Sequence, residues 1–399
     1  MAANVRTAAV LRICDGEKLR FLKEELLFKP LIRWLADELS AGGVDELLLI
    51  ADEEDPGLFN FGHKFRTFAI TDLKGEREAL KGLAAAGNIK IITIADTVFF
   101  NKDVVIELIT TLSSRSKVML TSGGMPLGVC GFSGEDAADS SLVEGALEDL
   151  AAHDDFYELD CLDTGILGLE IRTLEDVSRA EELLRDMVNR THMANGVRFV
   201  GAETCFISPD AVIGAGSVIL PNTIIRGESV IGRSCRIGPN SVVISCTVGD
   251  MTEVNSSQIN ESKIGEKVKI GPFAYIRPGC TIGNGIRIGD FVELKNSKIG
   301  DGTKISHLTY VGDAEVGESV NFGCGTVTAN YDGISKHRTV IEDGAFIGCN
   351  TNLIAPVRVG KNATTAAGTT VTEDVPEGSL AIGRVRQTIK PDWNKYRKK

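Results

Sequence analysis

Residues 206–243 read FISPDAVIGAGSVILPNTIIRGESVIGRSCRIGPNSVV, and within them Ile207, Ile213, Ile219, Ile225, Ile231, Ile237 and Val243 recur every six residues. All are β-branched aliphatics. Six is an even number, so in extended chain every one of them points to the same side, whereas a helix of about 3.6 residues per turn would send them to opposing faces. The repeat is therefore strand. Glycine follows the aliphatic residue at Gly214, Gly232 and Gly238, which supplies the permissive backbone a corner needs. Each hexapeptide reads as a short strand plus a turn, too small to bury an apolar face alone. Coiling such units stacks the aliphatic rungs into one continuous core.

Working outward, the ladder loses its spacing after Val243 and resumes as Ile264, Ile270, Ile276, Ile282, Ile288 and Leu294. It runs on through Ile299, Ile305 and Val311, then Val316, Phe322 and Thr328. After an interruption at 329–340 come Ile341, Ile347, Leu353, Val359, Thr365 and Val371. The spacing fixes a coiled parallel sheet over about 205–375 but not its hand.

Within this region four segments follow in order: Ile276-Arg277-Pro278-Gly279, Asp290-Phe291-Val292-Glu293-Leu294-Lys295, His307-Leu308-Thr309-Tyr310-Val311-Gly312-Asp313 and Asn330-Tyr331-Asp332-Gly333. Together they resemble the acetyltransferase half of the bifunctional glucosamine-1-phosphate acetyltransferases and UDP-N-acetylglucosamine pyrophosphorylases. That resemblance implies a left-handed parallel β-helix, a homotrimer with sites between neighbouring prisms, and acetyl-CoA as the acetyl donor to an amino-sugar 1-phosphate, glucosamine 1-phosphate first among them. The step itself requires no metal.

The chemistry accounts for the residue types. An amine attacks a thioester only with its lone pair free, so a base must take a proton, and imidazole suits neutral pH. His307 is the candidate base, and the resemblance implies that Glu293 supports it. A sugar phosphate calls for cationic heads, for which Arg277 and Lys295 are the candidates, with Lys336 joining them. By the same resemblance Tyr310, Asn321, Asn330 and Tyr331 contact the sugar. The backbone N–H of Cys324 would face the thioester oxygen. Acetyl-CoA would lie along later coils near Cys349 and Ala367, with Arg384 near its phosphates. Cys324 and Cys349 stand where the family more often has Ala or Ser. A nucleophilic cysteine is the competing mechanism, but neither thiol has a histidine beside it in sequence.

The N-terminal part alternates apolar stretches (Thr7 to Ile13, Glu46 to Ala51, Ile89 to Ala95) with helix-like segments such as Pro30 to Ala41, which predicts a parallel, Rossmann-like α/β sheet over 1–172. The run from Phe28 to Leu31 and on through Gly43 to Leu47 resembles the nucleotidyltransferase half of the same enzymes. Such a domain opens with a Gly-rich phosphate loop, yet here the first strand runs into Arg12-Ile13-Cys14-Asp15-Gly16-Glu17, with one glycine and two acids. Asp96 matches the family's metal-binding aspartate, while the second ligand is replaced near Arg172 and Thr173. The expectation is a degenerate domain without pyrophosphorylase activity. A segment at helical spacing, Leu174 to Met193, predicts a connecting helix within 173–204, and 376–399 forms a tail in which Arg384 to Lys399 hold seven Lys or Arg.

Composition narrows the field further. The 399 residues carry a net charge of −12, which disfavours a broad grip on nucleic acid. The nine cysteines contain no C-x-x-C pair and read as reduced thiols rather than a metal site or disulfide frame. No apolar run is long enough for a membrane span and no basic-then-apolar leader precedes Asp15 and Glu17, so a cytoplasmic location is expected. Two other functions fit the pattern: a bifunctional enzyme that also uses UTP, and a catalytically silent trimeric scaffold.

Overall fold

A computed structural model of the chain describes residues 5–13, 16–51, 66–70, 73–85, 89–95, 97–139, 141, 143–144, 155–161 and 168–394. Contacts divide the chain into two compact units, Met1–Leu184 and Arg185–Lys399. The division falls inside the helix Leu174–Ala194, so its first half packs with one unit and its second half with the other.

In the first unit a seven-stranded sheet has the order Tyr157–Asp160, Lys117–Ser122, Met125–Ser133, Ile89–Ile94, Arg6–Ile13, Glu46–Ala51, Arg66–Ile70. The sheet is mixed, which corrects the expectation of an all-parallel one. Met125–Ser133 runs antiparallel to both of its neighbours. The reason is local: Gly123 and Gly124, at φ 60 and 75, close a two-residue hairpin, and a hairpin joins only antiparallel strands. One side of the sheet buries Ala8, Val10, Leu48, Ile50, Ile91 and Phe132 in a single apolar cluster. Cys14, Asp15 and Asp96 lie outside the described residues. Arg172 and Thr173 serve the helix that follows: their N–H groups donate to Asp176 at 3.1 and 2.9 Å, and the Thr173 hydroxyl accepts from the Asp176 N–H at 3.2 Å, a reciprocal N-terminal cap.

The second unit is a parallel β-helix with three faces, sheets of eleven, ten and nine strands. Neighbours within a face are one coil apart, as in Ile207↔Ile225 and Ile213↔Ile231. Pairing begins at Arg198–Phe199 and ends at Leu380–Ala381. The stretch that looked irregular in sequence is filled by Val248, Val254 and Ile259, which pair with Ile231, Ile237 and Val243 and are fully buried. Some of their spacings are five instead of six, so a strict sixfold count passes over them.

A second inward rail lies two residues before the aliphatic one. It holds Ser217, Thr223, Ser229, Cys235, Ser241, Cys246 and Thr252, all buried. Their hydroxyls satisfy carbonyls, for example Ser217 Oγ to Gly232 O at 2.9 Å and Thr252 Oγ1 to Gly265 O at 2.9 Å. Small polar side chains fit here because each corner leaves backbone groups that must be paired once buried. Cysteine substitutes in the same geometry, as in Cys235 Sγ to Gly249 O at 3.2 Å. Cys205, Cys235, Cys246 and Cys280 are therefore buried free thiols of the core, and burial pushes each of them up from the usual thiol range. Among the described residues no helix is long and apolar enough to cross a membrane.

Candidate active site

Parallel stacking forces outward residues one coil apart into columns. One column runs along the corner that follows the face of Arg287–Asp290 and Lys304–His307. It holds Asp290, His307, Cys324, Cys349 and Ala367, as the backbone bonds Leu308 N–H to Asp290 O (3.0 Å), Gly325 N–H to Leu308 O (3.0 Å), Asn350 N–H to Cys324 O (2.8 Å) and Gly368 N–H to Cys349 O (2.8 Å) record. Arg384 adjoins its end, with Cδ 3.7 Å from where a Cβ on Gly368 would sit. From Gly323 to Gly368 the corner is lined by small side chains and glycines. The Cys324 N–H donates to no acceptor among the described residues.

A second column follows the next face, whose rungs are Tyr275–Ile276, Glu293–Lys295 and Tyr310–Gly312. Its outward residues include Arg277, Glu293, Lys295 and Tyr310. Gly312 has no side chain for a physical reason: a Cβ there would lie 2.3 Å from the Tyr310 hydroxyl oxygen, and the Tyr310 ring covers that position. Beside it Asp313, 7% exposed, is a hub. It accepts from Lys295 Nζ at 3.2 Å, from Asn296 Nδ2 at 2.6 Å and from Asn330 Nδ2. Burial acts to raise the Asp313 carboxyl, but the bonds from Asn296, Lys295 and Asn330 outweigh it and leave it below the usual range.

Lys295 and Lys336 face one another. Lys295, with Arg277 adding to the repulsion, pushes Lys336 below the ordinary lysine range, and the bond that Lys295 then donates to the Lys336 amine, with Asp313 behind it, holds Lys295 above that range. Arg277, Lys295 and Lys336 are thus gathered together, with Asp313 buried behind Lys295 and Glu293 paired to Arg277.

Lys336 and Tyr331 come from the insertion, which bridges Tyr331 to Lys336. Asp332 organises this loop: Oδ1 accepts the N–H groups of Ile334 (2.8 Å) and Ser335 (2.7 Å), and Oδ2 pairs with His337 Nε2 at 2.7 Å. Those bonds, led by Ser335, His337 and Ile334, hold the Asp332 carboxyl well below the usual range. The Tyr331 hydroxyl donates to Gly333 O at 2.6 Å, and His337 N–H to Asn330 O at 2.8 Å. After the loop the ladder resumes in register, Val316 against Ile341.

Not every expected partner is where the resemblance implies. Glu293 accepts from Arg277 Nη1 at 2.9 Å, and it is Asp290 that bonds His307 Nδ1, at 2.5 Å. The separation follows from the corner, since Asp290 and His307 end one face whereas Glu293 begins the next. Asn321 stands on the face of Lys304 and Phe346, not on that of Arg277 and Lys295. Asp290 and Asp313 had no assigned role, although both stand inside the motifs quoted above. Their separations from His307 and Lys295, 17 and 18 residues, are each one coil, and that spacing was the available signal. Among the described residues no three His, Cys, Asp or Glu side chains cluster to hold a metal ion.

Comparison with known proteins agrees with the repeat. Residues 210–245, 261–296 and 338–373 match the model described as bacterial transferase hexapeptide (six repeats). The chain is 54% identical over 203 residues to the "Bifunctional protein GlmU" of Carboxydothermus hydrogenoformans, covering 51% of this chain and 46% of that protein. To the protein of the same name from a Geobacillus species it is 52% identical over 217 residues (54% and 47% covered), and to that of Acetivibrio thermocellus 51% identical over 228 residues (57% and 49% covered). The chain thus spans about half the length of the curated relatives it matches. The resemblance read from the motifs is borne out over that half.

Proposed function

We propose that the β-helix catalyses acetyl transfer from acetyl-CoA to the amine of an amino-sugar 1-phosphate, with glucosamine 1-phosphate the preferred acceptor. The observation that carries this reading is the placement of His307 and of Arg277 and Lys295 on adjoining columns of neighbouring coils, with Lys336 brought to Lys295 by the insertion. The cations hold the phosphate, and Asn330 and Tyr331 border the sugar. His307 takes a proton from the amine through Nε2 as nitrogen attacks the thioester carbonyl. The new N–C bond forms, the C–S bond breaks, and the proton passes from imidazolium to the leaving thiolate. Developing charge on the carbonyl oxygen meets the Cys324 N–H, whose lack of an internal acceptor suits it to that task.

The glycine-lined, small-residue corner from Cys324 to Ala367 fits the pantetheine arm of acetyl-CoA, which supplies the activated acetyl group, and Arg384 fits its phosphates. The homotrimer that the resemblance implies would let a neighbouring copy complete the site. The first unit takes no part in this chemistry and lacks pyrophosphorylase activity.

Thiol release from acetyl-CoA with glucosamine 1-phosphate tests the reading, with His307→Ala as the comparison and UTP plus magnesium in a parallel reaction. The expected result is release that His307→Ala loses by about 100-fold or more, with no pyrophosphate formed. Absence of release from the folded protein would refute acetylation of this substrate. Pyrophosphate in the parallel reaction would overturn the assignment of the first unit.

A further inference from the structure

We infer that Asp290, not Glu293, is the residue that positions His307 as the base, by accepting its Nδ1–H and leaving Nε2 unprotonated toward the acceptor amine. This rests on the acetyltransferase reading above for what the base does, though the pairing itself rests on geometry alone.

Four observations converge on it. His307 Nδ1 and Asp290 Oδ1 are 2.5 Å apart. Asp290 and His307 are register partners in neighbouring coils, and Arg287–Asp290 and Lys304–His307 are the only two four-residue rungs among the described residues of the β-helix. Other rungs stop after two or three residues, so pairing is prolonged only where it carries this couple out to the corner. Between Ile288 and Asp290 the backbone comes so close to the next coil that a Cβ on Gly289 would lie 2.0 Å from Ser306 O. Glycine is what allows that approach. Finally, Phe291 and Leu308, at φ 55 and 43, turn the chain directly after both residues, so Asp290 and His307 leave the corner together.

The bond to His307 is the main cause holding the Asp290 carboxyl below its usual range, so it is an anion wherever the base must work. An ionised carboxylate accepts only, which forces the proton onto Nδ1 and leaves the lone pair on Nε2. Glu293 is already engaged by Arg277. Both members of the pair are exposed (56% for the His307 side chain and 36% for Asp290), so its value lies in orientation rather than in stability.

The test joins a spectrum to kinetics. The protein has five histidines, so selective ¹⁵N labelling gives a simple imidazole spectrum in which His307→Ala identifies the signal. In the wild type the His307 signal is that of the Nδ1–H tautomer. Asp290→Ala moves it toward the Nε2–H form that free imidazole prefers, while Asp290→Asn, whose amide oxygen still accepts, retains it. In turnover Asp290→Ala lowers kcat by about tenfold or more while KM for both substrates stays within about twofold, and Asp290→Asn recovers most of the loss. A wild-type tautomer in Asp290→Ala, or a tautomer that follows Glu293→Gln instead, overturns the inference. Because the spectrum needs no substrate, a protein inactive toward every amino-sugar phosphate would sink the functional reading and still decide this one.

Discussion

Asp313→Asn is the substitution that most directly tests how the proposed anion site is held. The carboxylate is buried, and both of its oxygens are committed: one to Asn296 Nδ2, the other to Lys295 Nζ and Asn330 Nδ2. An asparagine of the same shape must aim its NH₂ at a donor whichever way it turns. The less costly orientation faces Asn296, which sacrifices that bond and leaves Lys295 with a neutral acceptor. A hydrogen bond to a charged group contributes about 1.5–3 kcal/mol, and weakening of the Lys295 contact adds to that, so a loss of about 2–4 kcal/mol is expected. Little solvent discount applies, since the Asp313 side chain is 9% exposed and that of Lys295 18%. Urea unfolding followed by far-UV circular dichroism measures it, with hydrogen exchange of segment 293–316 assigning the transition. The pH dependence has a definite sign. A carboxyl depressed in the folded protein adds stability that is present above its unfolded pKa, about 3.9, and is lost as pH falls through the lower folded value. The wild-type advantage over Asp313→Asn is therefore level between about pH 8 and about pH 5 and shrinks below about pH 4. An equally stable variant, or an advantage that persists unchanged at about pH 2.5, would refute the hub.

Two more predictions concern amine and thiol reactivity. Lys336, pushed below the ordinary lysine range by Lys295, has the larger neutral fraction at mildly alkaline pH, so it is acylated by a limiting amine reagent ahead of Lys263 and Lys304. Inorganic phosphate, by cancelling the repulsion, protects it; peptide mass spectrometry that finds Lys336 no faster than the others, or unprotected, contradicts the cation cluster. Cys349 is exposed and Cys324 half-buried, so a disulfide thiol reagent modifies these two in the native protein and coenzyme A slows both, if the glycine-lined corner is where it lies. Cys130 and Cys161, pushed up by burial to about 12 and about 11, react only after unfolding; early labelling of either would show that the buried assignment is wrong.

The β-helix was legible in the sequence because its core is a periodic code: an aliphatic every sixth residue, spoken by Ile207 to Val243 without a slip. What escaped had a shorter beat. Val248, Val254 and Ile259 sit on the same ladder but reach it through corners that are sometimes one residue tighter, and a fixed period cannot follow a variable corner. The second rail escaped because Ser217, Cys235 and Thr252 share a size and a hydrogen-bonding role rather than a residue class. In the first unit the antiparallel strand was announced by Gly123-Gly124, a hairpin signal that alternation of strand and helix obscured. His307, Arg277 and Lys295 could be singled out by resemblance, but their partners could not, because partnership in a β-helix is set by coil length and not by proximity in the chain.

That last point explains why polar side chains pair across coils at the corners. Inward rungs are spent on packing, and a buried aliphatic such as Ile305 is worth roughly 1.5–3 kcal/mol in place. Outward residues on a flat rung meet neighbours along the strand and in the adjacent coils of the same face. A corner residue instead stands between two faces and above the corner of the coil before it, so His307 meets Asp290 below while the Glu293–Arg277 pair occupies the adjoining face. Keeping such couples together requires that each coil close on the same register, and the chain does so even across its insertion, returning Ile341 to Val316 after Asn330, Tyr331 and Lys336 have been carried outward. A one-residue slip in the coil from Asp290 to His307 would move His307 off the corner and turn its neighbours' inward and outward faces over, costing the core and the proposed base together. On the function proposed above, stability and catalysis thus depend on one quantity, the number of residues per coil, and selection for a packed ladder also maintains the geometry of the site.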